Sequence, residues 1–363
     1  MLVIRRKSAE VRAGIIGTGF IAQVHARAAR QAGAQLMGVA GTSVERARQA
    51  GEAMGAERAF GSADELIESG LLDVLHICTP NHLHAPLTLK ALAAGVAVIC
   101  EKPLATDAQS AALMAGRAEE AGLVGTVPFV YRFHAMVREA RARIAEIGRV
   151  SLVQGSYLQD WLLEPADDNW RVDPELGGPG RAIGDIGSHW CDLAEFVTGD
   201  RIVTVNAQTA VVIADRATNA PVLTEDVATI QFRTASGALG SVVVSQVAPG
   251  RKNRLFLEIS GTSGSLAFDQ ENPEHLWLGG RSGSRALQRD PLTLSEAARP
   301  YSPLPAGHPQ GFHDCFNAFV ADSYAAIQGD HRDGLPTFED GARAAVITDA
   351  VLESARTGGW VAC

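Results

Sequence analysis

The sequence predicts an α/β chain with an N-terminal parallel sheet wrapped by helices, followed by an α/β domain on a large, open, mostly antiparallel sheet. Three observations carry this reading. Short apolar runs alternate with helical patterns up to about residue 130. The segment Gly17-Thr18-Gly19-Phe20-Ile21-Ala22 joins the first apolar run to the first helical pattern. Beyond Gly148 the pattern changes to apolar/polar alternation with few helices of crossover length. The 363 residues then divide into domains 1–130 and 131–363, with a last helix, 339–357, expected to pack back on the first domain.

Each element has its own warrant. Residues 11–16 form an apolar run ending at Gly17, and 21–32 a helical pattern closed by Gly33. A second strand spans 35–40, and Thr42 with Glu45 reads as a capping box for a helix reaching Met54. Ser62 and Glu65 cap a short helix. Residues 71–78 form a third strongly apolar strand, followed by TPNHLHAP and a helix closed by Gly95. Residues 96–100 give the next strand, followed by Glu101-Lys102-Pro103. Thr106 and Gln109 then cap a helix ending at Gly122, and 123–129 is a further strand. In the second half, strands are expected at 150–159, 203–207, 227–232, 239–247 and 255–260, with residues 280–310 as loop.

Composition excludes several function classes. A net charge of −9 without a lysine- or arginine-rich tract argues against a nucleic-acid partner. No apolar run reaches the length of a membrane span, and the start, MLVIRRKSAEV, lacks the apolar core of a secretion signal. Cys78, Cys100, Cys191, Cys315 and Cys363 lie far apart without a CxxC pair, which points to a reducing cytoplasm and to no bound metal.

Glycines at this spacing suit a dinucleotide domain of the Rossmann type. Gly17 permits a tight turn, Gly19 lets backbone approach a pyrophosphate, and Ala22 lets the helix pack closely on the strand. The acid that usually holds a ribose hydroxyl about 20 residues on is missing. The chain reads VAGTSVERAR there, with Gly41 near the usual position and Thr42, Ser43 and Arg46 following. A guanidinium in place of a carboxylate favours NADP over NAD.

One helix, from Asp185 and closed by Gly199, interrupts the later strands. Ile186, Trp190, Leu193 and Val197 form its core stripe, so Asp185, His189, Asp192 and Phe196 share the neighbouring one. Two carboxylates and an imidazole on one face suit proton transfer.

Together with these features, TPNHLH, Glu101-Lys102-Pro103, Tyr131-Arg132-Phe133, Asn169-Trp170-Arg171 and GDIGSHWCD resemble the glucose–fructose oxidoreductase/inositol dehydrogenase/MocA family. GTSGSL at 261–266, HPQGFHDCF at 308–316 and EDGARAAVITDAVLESA at 339–355 extend the resemblance over nearly the whole chain. It implies nicotinamide-dependent oxidation or reduction of a sugar, glycoside or cyclitol, and a second-domain sheet that often builds a homodimer or homotetramer. It implies Lys102 beside the nicotinamide, His189 as the proton-transfer residue and Asp185 as its neighbour. Thr79, Pro80, Asn81, His84, Glu101 and Arg132 would line the cofactor, and Trp170 and Arg171 would reach it from the second domain. The absent acid after the second strand departs from NAD-using members.

In this reading Asp185 steadies an imidazolium on His189, whose ordinary pKa of about 6.5 lets it accept and return a proton near neutrality. Tyr157 and Trp161, near Asp160, Asp167 and Asp168, suit a polyhydroxylated ligand, and Asp192 suits a hydroxyl acceptor. The same motifs would serve a lyase, epimerase or hydrolase that recycles a bound cofactor; Lys102, Asp185 and His189 argue against the third reading, a ligand sensor on the same fold, which has no need of proton transfer.

Overall fold

The computed structural model describes residues 10–363, so the expectation that the start lacks a secretion signal falls on residues 1–9, outside the described residues. The first domain runs β1 (Arg12–Ile16), α1 (Phe20–Gln31), β2 (Gln35–Ala40), α2 (Val44–Met54), β3 (Ala59–Phe60), α3 (Ala63–Ile67) and β4 (Val74–Ile77). It continues with α4 (His84–Ala93), β5 (Ala97–Cys100), α5 (Ala108–Ala121) and β6 (Gly125–Thr126). Its sheet is wholly parallel in the order β3-β2-β1-β4-β5-β6. The order reverses between β1 and β4, and open α/β sheets bind ligands at such a point.

The second domain runs α6 (Ala135–Ala142), β7 (Val150–Leu158), α7 (Pro174–Gly177) and α8 (Ser188–Thr198). Strands β8 (Ile202–Ala210), β9 (Val227–Thr234), β10 (Leu239–Ser245), β11 (Arg254–Gly261), β12 (Ser265–Asp269), β13 (His275–Gly279) and β14 (Arg285–Gln288) follow. Helices α9 (Phe312–Ile327) and α10 (Phe338–Thr357) and strand β15 (Val361–Ala362) complete the chain. The nine-stranded sheet is ordered β14-β13-β12-β11-β7-β10-β9-β8-β15. All its pairs are antiparallel except β7 with β10.

Several boundaries differ from the sequence expectation. The strands expected at 71–78 and 123–129 shrink to Val74–Ile77 and Gly125–Thr126, and β14 lies inside the expected loop 280–310. Ser43, not Thr42, caps α2 by accepting from the Arg46 amide, and Asp107, not Thr106, caps α5 by accepting from the Ser110 amide. In each case the neighbouring residue has the extended backbone from which a side chain can reach the second or third amide of the helix. A single π-helical turn, Ile183–Gly187, precedes α8, so helical structure begins before Asp185.

The last helices complete the first domain. Phe316, Phe319 and Tyr324 of α9 join the core beneath α1, while Phe338 and Ala345 of α10 join the core on the other sheet face with Met114 of α5. α10 also packs against α8 and β8 and so belongs to both domains.

Trp190 fixes α8 over the second sheet. Its indole Nε1 donates to the Phe256 carbonyl at 2.8 Å, and the ring has no exposed surface. Gly155 of β7 lies beneath it. A Cβ there would collide with the Phe256 carbonyl oxygen and come within 2.7 Å of the indole nitrogen. Backbone cannot yield as a flexible side chain can. Gly155→Ala is expected to destabilise the protein by about 2 kcal/mol or more and lower Tm, read by thermal unfolding. An unchanged Tm would contradict this packing account.

Candidate active site

A cleft of about 700 Å³ lies over the carboxyl ends of β1, β2, β4 and β5. Gly17 has φ +127° and donates to the Ala40 carbonyl at 2.9 Å, and a Cβ there would strike the Cys78 carbonyl oxygen. The chain therefore passes between the ends of β2 and β4 with no room for a side chain. At Gly19 the position of a Cβ has no heavy atom within 4 Å, and the N-terminus of α1 has no side-chain cap. Unpaired amides facing open space in a cleft of this size fit the pyrophosphate of a dinucleotide.

Thr18, Phe20, Ile21, Thr42, Arg46, Thr79, Pro80, Asn81, Glu101, Lys102, Trp170 and Arg171 also line the cleft. Ala22 is fully buried beneath it. Gly41 is small for a packing reason: a Cβ would lie 2.9 Å from the Thr18 methyl and 3.3 Å from the Ala47 nitrogen. No carboxylate lines this end, and the Arg46 guanidinium has no hydrogen bond or ion pair among the described residues. Ser43 does not line the cleft; its hydroxyl is spent on the cap of α2. His84 is not in the lining either. Fully buried, it faces the Pro103 carbonyl through Nδ1 at 2.8 Å and the Thr79 carbonyl through Nε2 at 3.0 Å, joining the two loops that frame the cleft.

The second domain closes one end. Asn81 donates to the Gly177 carbonyl at 2.8 Å, and the Arg171 guanidinium stacks over Trp170 at 4.3 Å. Lys102 Nζ meets Asp185 Oδ1 at 2.5 Å and the Asp185 carbonyl at 3.1 Å. Asp185 also accepts from Arg171 Nε at 3.2 Å and from Gln246 Nε2 at 2.8 Å. Burial alone would raise this carboxyl, but the Lys102 and Arg171 charges hold it well below the usual range. Asp185 makes no hydrogen bond to His189, since its oxygens are taken by cations and an amide, and acts on the imidazole only through its nearby charge.

His189 sits one helical turn on. Its ring is edge-on to Tyr131 at 5.0 Å and to Phe129 at 5.6 Å, with Tyr157 at 6.4 Å. Nδ1 is buried without a partner, and neither ring nitrogen has a hydrogen bond among the described residues. Burial first, and the Lys102 charge second, push His189 down to about 3, with Asp185 opposing. The imidazole is thus neutral at working pH and free to accept a proton. Tyr157 donates to Asn253 Oδ1 at 2.8 Å and meets the Tyr131 hydroxyl at 2.6 Å. Tyr131, Phe129, Asn253 and Gln246 went unassigned in the sequence; only Tyr131 lay in a quoted motif.

Three further expected site residues, Arg132, Asp192 and Trp161, lie elsewhere. Arg132 and Asp192 are buried against each other, with Asp340 as a third member, and border a separate hollow with Glu195 and Arg343. Their mutual charges are satisfied there, which removes Arg132 from the cofactor lining and Asp192 from the substrate side. Trp161 is half-exposed and donates to Gln159 at 2.8 Å. Asp160 pairs with Lys252, and Asp168 with Thr218 and Asn219, so these carboxylates organise loops.

Comparison with known proteins decides the family. Residues 11–129 match the model of the oxidoreductase family with an NAD-binding Rossmann fold, and 137–267 match the GFO/IDH/MocA C-terminal domain. The chain belongs to the GFO/IDH/MocA oxidoreductase family. Among relatives of this GFO/IDH/MocA oxidoreductase, levoglucosan dehydrogenase of Pseudarthrobacter phenanthrenivorans is 31% identical, over 96% of this chain and 97% of the relative. D-apiose dehydrogenase of Paraburkholderia graminis is 30% identical, over 81% and 76%. A levoglucosan dehydrogenase structure in complex with NADH and levoglucosan superposes with TM-score 0.90 at 31% identity, covering 97% of this chain and 99% of that one. An inositol dehydrogenase homolog with NAD+ from Azotobacter vinelandii gives 0.88 at 26%, covering 98% of both. The protein is thus an oxidoreductase of a family of NAD-dependent sugar dehydrogenases, and no helix among the described residues is long and apolar enough to cross a membrane.

Because the depressed His189 is neutral above about pH 3, its imidazole resonances in the free enzyme are expected not to titrate between pH 5 and 8. Lys102→Met removes a charge that lowers His189, so its titration should move upward. Histidine NMR, assigned with His189→Gln, checks both. A wild-type transition centred near 6.5 would contradict the burial argument.

Proposed function

We propose that this chain is a dehydrogenase that moves a hydride between NAD(P) and a secondary hydroxyl of a sugar, glycoside or cyclitol, with Lys102, Asp185 and His189 at the reacting carbon. The observation that carries the reading is the Lys102–Asp185 ion pair, which joins the two domains where the dinucleotide cleft ends, one turn from a neutral His189 without a partner.

A nicotinamide supplies the hydride acceptor. The residues supply the rest. Lys102 Nζ, anchored by Asp185, can donate to the substrate oxygen and stabilise negative charge as the proton leaves it. His189, unprotonated at neutral pH, accepts that proton, and the nearby Asp185 charge favours the imidazolium once formed. Phe129, Tyr131 and Tyr157 pack around the imidazole and keep water from it, and the mutually bonded Tyr157–Tyr131–Asn253 group places hydroxyls and an amide beside it. Relatives named for levoglucosan, D-apiose and 1,5-anhydro-D-fructose support a carbohydrate substrate.

The free Arg46 guanidinium and the absence of a carboxylate at the end of β2 favour NADP. The four buried cysteines support a reducing cytoplasm. The open face of the nine-stranded sheet exposes Leu152, Leu239, Val243 and Trp277, which supports a homodimer or homotetramer.

A panel of anhydrosugars, aldoses, glycosides and inositols, read by absorbance of the reduced cofactor, tests the function. Turnover is expected with a secondary sugar hydroxyl, and His189→Ala is expected to cut kcat by about 10²–10⁴. Arg46→Ala should weaken NADP by about 1–2 kcal/mol, as suits an exposed charged contact, and leave NAD unchanged. Product formed without net cofactor reduction would instead assign a recycled cofactor. Near-full activity of His189→Ala from pH 6 to 9 would overturn the proton assignment.

A further inference from the structure

A set of titratable groups runs from the cleft lining at Glu101 into the core, and its inner members are not used above. Glu101, at the end of β5, turns its carboxylate away from solvent. Oε2 accepts from the Lys102 amide at 3.1 Å, and Oε1 meets His25 Nε2 of α1 at 3.0 Å. His25 Nδ1 meets His76 Nδ1 of β4 at 2.8 Å, and His76 Nε2 meets the Tyr324 hydroxyl of α9 at 2.8 Å. Both imidazoles are fully buried and Tyr324 is 3% exposed. Four groups on four elements thus form one continuous chain ending at the peptide that carries Lys102.

Counting hydrogens gives the chain a direction. A carboxylate only accepts, so His25 carries its proton on Nε2. With both imidazoles neutral, His25 Nδ1 is then an acceptor, and His76 must donate to it from Nδ1. His76 Nε2 is left as an acceptor, which the Tyr324 hydroxyl fills. Every donor and acceptor is matched in this arrangement. If His76 held its proton on Nε2 instead, His25 would have to turn Nδ1–H toward His76 and, if neutral, present a bare Nε2 to Glu101. Two lone-pair acceptors would then face each other in a buried site.

We propose that His25, His76 and Tyr324 are positioning residues: their chain, directed by the Glu101 carboxylate and closed by the Tyr324 hydroxyl, holds that carboxylate and so the Glu101–Lys102 peptide that presents Lys102 to the substrate. Tyr324 is the anchor, contributed by a helix from the far end of the chain. The inference rests on the dehydrogenase reading only for its kinetic arm.

Nitrogen NMR of the imidazoles in histidine-labelled protein tests it. The wild type is expected to show His25 as the Nε2–H tautomer and His76 as the Nδ1–H tautomer. Tyr324→Phe, which removes one hydroxyl, should leave both tautomers in place but strip His76 Nε2 of its donor, moving that nitrogen's resonance toward that of a free, unprotonated imidazole nitrogen. It should lower kcat about three- to tenfold with substrate KM unchanged, through loss of Lys102 placement. Ser323→Ala, which removes a neighbouring buried hydroxyl of α9 bonded to Thr126 and outside the chain, should change neither the imidazole signals nor kcat. The opposite tautomers in the wild type would overturn the proposal, as would Tyr324→Phe with unchanged imidazole signals, or Ser323→Ala with the same effects as Tyr324→Phe. The wild-type spectrum decides the direction whatever the variants do. It is read without substrate, so failure to find a sugar would leave this test standing.

Discussion

The ion pair between Lys102 and Asp185 is the constraint on which the rest of the site depends. Lys102 lies just past the end of β5 in the first domain, and Asp185 lies in the π-helical turn that opens the second domain's central helix. Removing Asp185 takes the counterion from the buried Lys102 ammonium, and removing Lys102 leaves the carboxylate with Arg171 as its remaining cation; either loss costs more than the pair itself contributes. That asymmetry keeps the two elements in register. Arg171 and Gln246 occupy the remaining positions on the carboxylate, so its geometry is set from three directions. The same cation also helps keep His189 neutral, so one contact sets both the place of the charge and the state of the base.

The architecture supports this contact from behind. Trp190 locks α8 onto the nine-stranded sheet through Gly155 and the Phe256 carbonyl, which fixes where Asp185 and His189 point. On the other side, α9 and α10 return to cover the two faces of the first sheet, so the first domain's core is completed by the last part of the chain. The cleft is therefore framed by segments brought together by the whole fold, and its walls have few ways to move independently.

Much of this was legible in the sequence because its signals are local. Gly17, Gly19 and Ala22 declare a strand–turn–helix within six residues, and the core stripe through Trp190 declares α8 within three turns. Where the reading failed, the deciding partner was distant or the register shifted. Asp185 and His189 read as neighbours on one helix stripe, but Asp185 lies in a wider turn and its oxygens go first to Lys102, 83 residues away. Arg132 and Asp192 look like ligand contacts until Asp340, 208 residues from Arg132, makes them a closed cluster. Ser43 displaced Thr42 as a cap because adjacent hydroxyls differ only in backbone geometry. No spacing rule links His25 or His76 to Tyr324; that link needed the packing of α9 on α1.

A double-mutant cycle tests the central claim most directly. Lys102→Met, Asp185→Asn and the double variant are compared by kcat/KM on one turned-over sugar. If the ion pair organises the site, the double variant is no worse than the poorer single variant, and the coupling exceeds about 1 kcal/mol. Losses that simply add would show two residues acting independently and would contradict the account.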